Sequence, residues 1–278
     1  MRGKMGPVGR QFNRNAATYD AHAHVQRMMS IQLADSLQCL KERDSKVNIL
    51  EIGCGTGALT EMLAKEWHDA KITALDIAPE MIKLARKRVF SGDRVSFLHA
   101  DAEIWGADAP SAMYDIIVSN ACFQWLSRPE QTFSHFRRML RPGGLLVFTT
   151  FGPATFYELH QAFEEVYRAR GMEPQRHGLS FKSGDQWISL LKEAGFSGVQ
   201  SERTLHVETY ASVRGFLYSI KAMGASTSGA AAASGLSMRR LFASMYKEYE
   251  TKFSVPGGVT ASYDLLLMLA SADDADGK

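Results

Sequence analysis

Between residues 47 and 63 the chain reads VNILEIGCGTGALTEML: a β-rich run, glycines at 53, 55 and 57, then apolar residues at helical spacing. A strand that turns through glycines into a helix is the opening of a βαβ unit, whose second strand must run parallel to the first. The alternation continues downstream. Strands are predicted at KITALD (71–76), RVSFLHA (94–100), DIIVSN (115–120) and LLVFTT (145–150), separated by helical patterns in PEMIKLARKRV and PEQTFSHFRRML. Such a succession predicts an α/β fold around a mostly parallel sheet.

Beyond residue 150 the pattern loosens. TFYELHQAFEEVYRAR and SGDQWISLLKEAG read as helices, the second with Ser183 as N-cap and Gly195 as its stop. Strand-like runs at 199–210 and 261–270 flank a mostly helical segment, 211–259, interrupted by the small-residue run GASTSGAAAASG, a loop or a weakly specified helix. The RPGG run at 141–144 reads as a turn before the fifth strand. About 40 residues ahead of the first strand supply another helical element. The domains expected are a cap over 1–45, a core over 46–210 and 260–271, and a helical lid over 211–259.

Glycines at this turn serve two templates. Gly53-x-Gly55-x-x-Ala58 fits the dinucleotide fingerprint. Glu51-x-Gly53-x-Gly55-x-Gly57 fits a loop for S-adenosylmethionine, and here the acidic residue matters. A pyrophosphate wants N–H donors and no nearby anion, whereas the methionyl amine and sulfonium are cationic, so Glu51 suits the second ligand. Asp76, at the end of the second strand, is placed to accept ribose hydroxyls in either case. Asp101 ends the third strand where an adenine amine could donate to it, with Ile77 as an apolar face for the ring.

ExGxGxG at 51–57, LDIAPEMI at 75–82, ADAE at 100–103, YDIIVSNACFQW at 114–125 and LRPGG at 140–144 together resemble the successive motifs of class I S-adenosylmethionine-dependent methyltransferases. The resemblance implies a Rossmann-like seven-stranded sheet with its last strand antiparallel. Its cofactor site would comprise Glu51, Gly53, Gly55, Gly57, Asp76, Ile77, Met81, Asp101, Ala102, Glu103 and Asn120. Outside those motifs, FNRNAATYDAHAHVQ (12–26), FTTFGPATFYELHQAF and SIKAMGAS (219–226) resemble the malonyl-ACP O-methyltransferase family of biotin synthesis. That resemblance implies methylation of the free carboxyl of a malonyl thioester, carried on acyl carrier protein or on coenzyme A. It also implies Tyr19, His24, Gln124, Trp125 and Lys221 as substrate-side residues, Lys221 pairing with the carboxylate and Tyr19 and Gln124 positioning it. The basic residues of the 211–259 segment would meet an acidic carrier, Arg239 and Arg240 first.

A carboxylate is already ionised near neutrality and needs no general base. A carbon acceptor, such as a quinone precursor, would need one, and the histidines near residue 24 are the available source. The sequence is also compatible with another carboxylate acceptor, of the aconitate type, and with a binding protein without turnover. A net charge of +2 argues against a nucleic-acid partner. Three cysteines without paired spacing argue against a disulfide framework and a zinc site and favour the cytoplasm. No apolar run is long enough to span a bilayer, and a monomer is expected.

Overall fold

The computed structural model describes residues 5–38, 46–90, 92–224 and 236–273. The cysteine at 39, the small-residue run from 225 and the tail from 274 lie outside them. The chain opens with two helices, α1 (Pro7–His22) and α2 (His24–Ser36), where the sequence suggested one element; Ala23, with ψ +41°, breaks the path between them. There follow β1 (Asn48–Ile52), α3 (Ala58–Glu66), β2 (Lys71–Asp76), α4 (Pro79–Arg88), β3 (Val95–His99), α5 (Ala102–Asp108), β4 (Tyr114–Asn120), α6 (Pro129–Met139) and β5 (Leu140–Phe151). The second half holds α7 (Tyr157–Ala169), α8 (Gly184–Glu193), β6 (Ser197–Tyr210), α9 (Val213–Ala222), α10 (Leu236–Phe253), β7 (Ser254–Val255) and β8 (Gly258–Ser271).

Seven strands form one sheet in the order β3-β2-β1-β4-β5-β8-β6, with β8 antiparallel to both neighbours. The two-residue β7 is an eighth strand paired to β8 through a Pro256–Gly257 turn, too short to leave a sequence pattern. β5 starts five residues earlier than its apolar run: Leu140 pairs with Tyr114, the register then jumps to Ile116–Leu145, and the Arg-Pro-Gly-Gly turn bulges out between. Order in the sheet reverses between β1 and β4, which lie side by side while β2 and β3 extend away. Open α/β sheets bind ligands at the carboxyl ends of the strands at this reversal.

Alternate residues of the central strands feed two cores. Leu50, Ile117, Leu146 and Met268 join Phe123, Phe133, Phe136, Phe148 and Trp187 against α6 and α8. Ile49, Ile116, Val118 and Val147 face the other way, onto α2 and α3. Burying a side chain of this size stabilises by about 1.5–3 kcal/mol, so the two faces fix β1 and β4 firmly under the site. A third core gathers α7, α9, α10 and the start of β8 around Phe216, Tyr249 and Tyr263. α8 carries the expected Ser183 cap, with Gln186 completing a capping box, and Gly195 follows at φ +86°. Among the described residues no helix is long and apolar enough to cross a membrane.

Candidate active site

The turn after β1 is left-handed at Gly53 (φ +72°), Gly55 (φ +54°) and Gly57 (φ +85°), where a Cβ is strained. Each glycine also answers a different neighbour. A Cβ on Gly53 would run into the Cys122 sulfur, two residues past the end of β4. One on Gly55 would meet no protein atom within 4 Å, and Gly55 lines the cleft above the turn. One on Gly57 would lie 3.0 Å from the Ala85 Cα, so this glycine lets α3 approach α4. Gly57, expected among the ligand contacts, lines none of these three cavities.

The cleft encloses about 230 Å³ between the glycine turn, the ends of β2, β3 and β4, and the first turns of α1. Asp76, Ile77, Met81, Asp101, Ala102, Glu103 and Asn120 all line it, together with Gly53 and Gly55. The Asp76 carboxylate accepts the Gly55 N–H at 2.9 Å and the Ala78 N–H at 2.8 Å, which pins the turn to the end of β2. Burial still pushes its pKa up. Asp101 caps α5 by accepting the Glu103 N–H at 3.0 Å, and Glu103 accepts the Arg128 N–H at 2.6 Å. The lining holds three carboxylates and, among the described residues, no lysine, arginine or histidine. A pyrophosphate would find no cation there; a cationic ligand with an adenosine would find carboxylate acceptors in a mostly apolar lining.

Glu51 faces a second, smaller cavity under the turn, lined also by Gly53, Thr56, Asn120 and, from the first two helices, Asp20 and Gln26. Only 1% of Glu51 is exposed, and it accepts the Thr60 hydroxyl at 2.6 Å. Burial, aided by Asp76 and opposed by the Thr60 bond, lifts its pKa to about 7. Asn120 donates to the Gln26 carbonyl at 2.9 Å and the Ser30 hydroxyl at 2.8 Å, so β4 is tied directly to α2. Asp20 of α1 pairs with Arg88 of α4 and accepts the Thr56 hydroxyl at 2.6 Å, closing α1 over the turn.

A third cavity of about 40 Å³ adjoins the cleft. Tyr19 lines all three cavities, and Trp125, set edge-to-face against Phe12 at 5.4 Å, lines both this chamber and the cleft. Phe151, Phe156, Phe181 and Tyr263 wall the chamber, and no charged side chain lines it among the described residues. Burial, with Asp76 and Asp20 nearby, raises the Tyr19 pKa, so its hydroxyl keeps its proton and is a standing donor.

A family model described as a methyltransferase domain matches residues 22–201. The malonyl-[acyl-carrier protein] O-methyltransferase of Paenibacillus sp. (strain JDR-2) is 56% identical over 268 residues, covering 95% of this chain and 97% of that one. The chain belongs to this methyltransferase family. The protein of the same name from Brevibacillus brevis is 37% identical and covers 96% of each chain. Solved structures share the fold at lower identity. The YcgJ protein of Bacillus subtilis superposes with a TM-score of 0.59 at 15% identity, over 88% of this chain and 99% of that one. Phosphoethanolamine N-methyltransferase 2 of Haemonchus contortus, solved with S-adenosyl-L-methionine, gives 0.55 at 18% identity, over 94% of this chain and 57% of that one.

Two residues expected on the substrate side line none of these three cavities. His24 is exposed and hydrogen-bonds Glu208 of β6 at 2.8 Å. Lys221 is exposed on α9 while Ile220 and Met223 line the chamber; a step of one residue turns a helix position by about 100°, which carries the lysine off the lining face. Gln124 does line the chamber, but its amide is committed at both ends, donating to the Ala121 carbonyl at 2.7 Å and accepting the Thr150 hydroxyl at 3.1 Å. Arg239 and Arg240 are exposed on α10, away from all three cavities. Sequence reasoning overlooked Gln26, although buried Gln26 and Ser30 among Val25, Met29 and Leu33 leave a polar signal on the inner face of α2. The Asp20–Arg88–Thr56 contact left none, since its members lie far apart in sequence.

Proposed function

We propose that the enzyme methylates the free carboxyl of a malonyl group carried by acyl carrier protein, using S-adenosylmethionine, and so makes the ester that primes biotin synthesis. The observation that carries the reading is the pairing of an acid-lined cleft with a chamber that, among its described residues, offers no general base. An acceptor that arrives ionised needs none. A carbon acceptor would, and the histidine at position 24 is turned away from the chamber.

Gly53, Gly55, Asp76, Ile77, Met81 and Asp101 would hold the adenosine, and Glu51 the methionyl ammonium. When bound, S-adenosylmethionine supplies an electrophilic methyl on a sulfonium, which a carboxylate oxygen takes as the electron pair leaves on sulfur and no proton moves. The protein's share is alignment and exclusion of water. Tyr19 and Trp125 stand where cleft and chamber meet, and the Asp20–Arg88 contact keeps α1 shut over the turn. Residues 1–45 thus act as a cap and 211–259 as a lid on a core of 46–210 and 260–271. Arg239 and Arg240 offer an acidic carrier a basic landing point, and the enzyme works as a cytoplasmic monomer.

The test is to incubate the protein with S-adenosylmethionine and malonyl-ACP, malonyl-CoA or acetyl-ACP and weigh the acyl group by mass spectrometry. A methyl ester on malonyl substrates alone is expected, with the coenzyme A arm reading carrier preference. No product on either malonyl substrate would refute the reading.

A further inference from the structure

Six residues with polar side-chain atoms line the acceptor chamber, and three are already spent. Gln124 is bonded at both amide ends; Thr155 donates to the Asp264 carbonyl and accepts the Asp264 N–H; the Tyr263 hydroxyl bonds that of Tyr210 at 2.6 Å. Tyr19, Trp125 and Gln26 are left, and of these only Gln26 has a buried polar atom without a partner. Gln26 is only 8% exposed, and its side-chain oxygen is buried without a hydrogen-bond partner. Its backbone is held in place: the carbonyl accepts Asn120 at 2.9 Å and Ser30 at 2.9 Å. The amide tip alone is uncommitted, and it borders both the chamber and the cavity beneath Glu51.

A buried amide without partners is costly, and a ligand that pairs it removes the cost. Rotation about its last bond exchanges oxygen and nitrogen, so the same position presents either an acceptor or a two-hydrogen donor. Resting on the proposed reaction, we infer that the Gln26 amide, with the Tyr19 hydroxyl, grips the acceptor carboxylate where the chamber meets the cavity beneath Glu51, so that neutral donors hold the anion. The chemistry favours this arrangement over a lysine. Anion and sulfonium become neutral products, so charge is lost on the way to the transition state. A protein cation beside the carboxylate would stabilise the ground state more than the transition state and slow the transfer. Neutral donors orient the carboxylate without that penalty, and the cofactor itself serves as counterion.

The experiment uses the full-length enzyme saturated with sinefungin, whose protonated amine keeps the sulfonium's positive charge without a transferable methyl, and compares its affinity for malonyl-ACP and acetyl-ACP by calorimetry. The ratio isolates recognition of the carboxylate from docking of the carrier. In Gln26→Met the malonyl preference is expected to fall about 10- to 100-fold, the effect of one hydrogen bond to a charged group. Gln26→Glu, the same shape with an anion, should lose more and regain affinity as the pH is lowered. Both variants should bind S-adenosylhomocysteine within about threefold of wild type, the range of an unperturbed site. An unchanged malonyl-to-acetyl ratio in both variants would overturn the assignment, as would a loss of S-adenosylhomocysteine affinity in Gln26→Glu as large as the loss for malonyl-ACP. A wild-type ratio of one would instead sink the carboxylate reading of the whole site, whichever residue is altered.

Discussion

Glu51→Gln is the sharpest probe of the cofactor site, because burial has moved this carboxyl into a range that experiments reach. In the ligand-free protein Glu51 titrates near 7 rather than at its ordinary 4.5. A cationic ligand binds the ionised form, so below pH 7 binding must first expel a proton. With the bound carboxylate back in the ordinary range, affinity for S-adenosylhomocysteine should be about 25-fold weaker at pH 5.5 than at pH 7.5, with about one proton released at the acid end. The ligand's amino group stays mostly protonated over that interval. Calorimetry in two buffers of different ionisation enthalpy reads both quantities. Glu51→Gln should flatten the profile and cost about 10- to 100-fold at pH 7.5, as loss of a charged hydrogen bond does. Stability moves in the opposite sense. A carboxyl whose pKa is higher folded than unfolded stabilises the fold fully below 4.5, and that contribution is lost as pH rises through about 7. The displacement corresponds to about 3 kcal/mol, so ligand-free Glu51→Gln should melt higher than wild type at pH 8 and not at pH 5. A pH profile equally steep in wild type and variant would refute the reasoning.

Three further outcomes follow from placement. Lys221→Ala should keep kcat/KM for malonyl-ACP within about twofold, since the lysine is an exposed residue off the chamber; a tenfold loss would put it back in the site. Gly57→Ala combines a left-handed φ of +85° with a Cβ 3.0 Å from the Ala85 Cα, and should destabilise by about 1–3 kcal/mol in urea melts. Arg88→Ala removes the partner of Asp20; the pair is partly exposed, so the loss is about 1 kcal/mol, read as a roughly fivefold faster release of S-adenosylhomocysteine with chemistry unchanged.

The strands were readable because β1, β2, β4 and β5 are short β-rich runs, each followed by a helical pattern, and a parallel sheet leaves no other way to connect them. That Gly53, Gly55, Asp76 and Asp101 share one cleft, with Glu51 on the cavity beneath the turn, was readable for the same reason. Each sits within three residues of a strand's carboxyl end, and once strand order is fixed those ends converge without reference to anything distant. Gly57 was placed on the right turn, but its work there depends on Ala85 of another helix.

The acceptor side behaved differently because its residues come from helices and long connections. A residue is turned toward or away from a cavity by the rotation of its helix, and that rotation is set by packing partners drawn from the whole chain. Thus α9 presents Ile220 and Met223 to the chamber and leaves Lys221 in solvent, while α2 turns Gln26 inward and His24 toward Glu208 of β6. The glycine turn alone fits two cofactors; Glu51, the acidic strand ends and the successive motifs downstream decide for a cationic, adenosine-bearing ligand. Which side chains line the neighbouring chamber depends on how α1, α2 and α9 pack against the sheet, since contacts such as Asn120 with Gln26, 94 residues apart, exist only once the chain has folded.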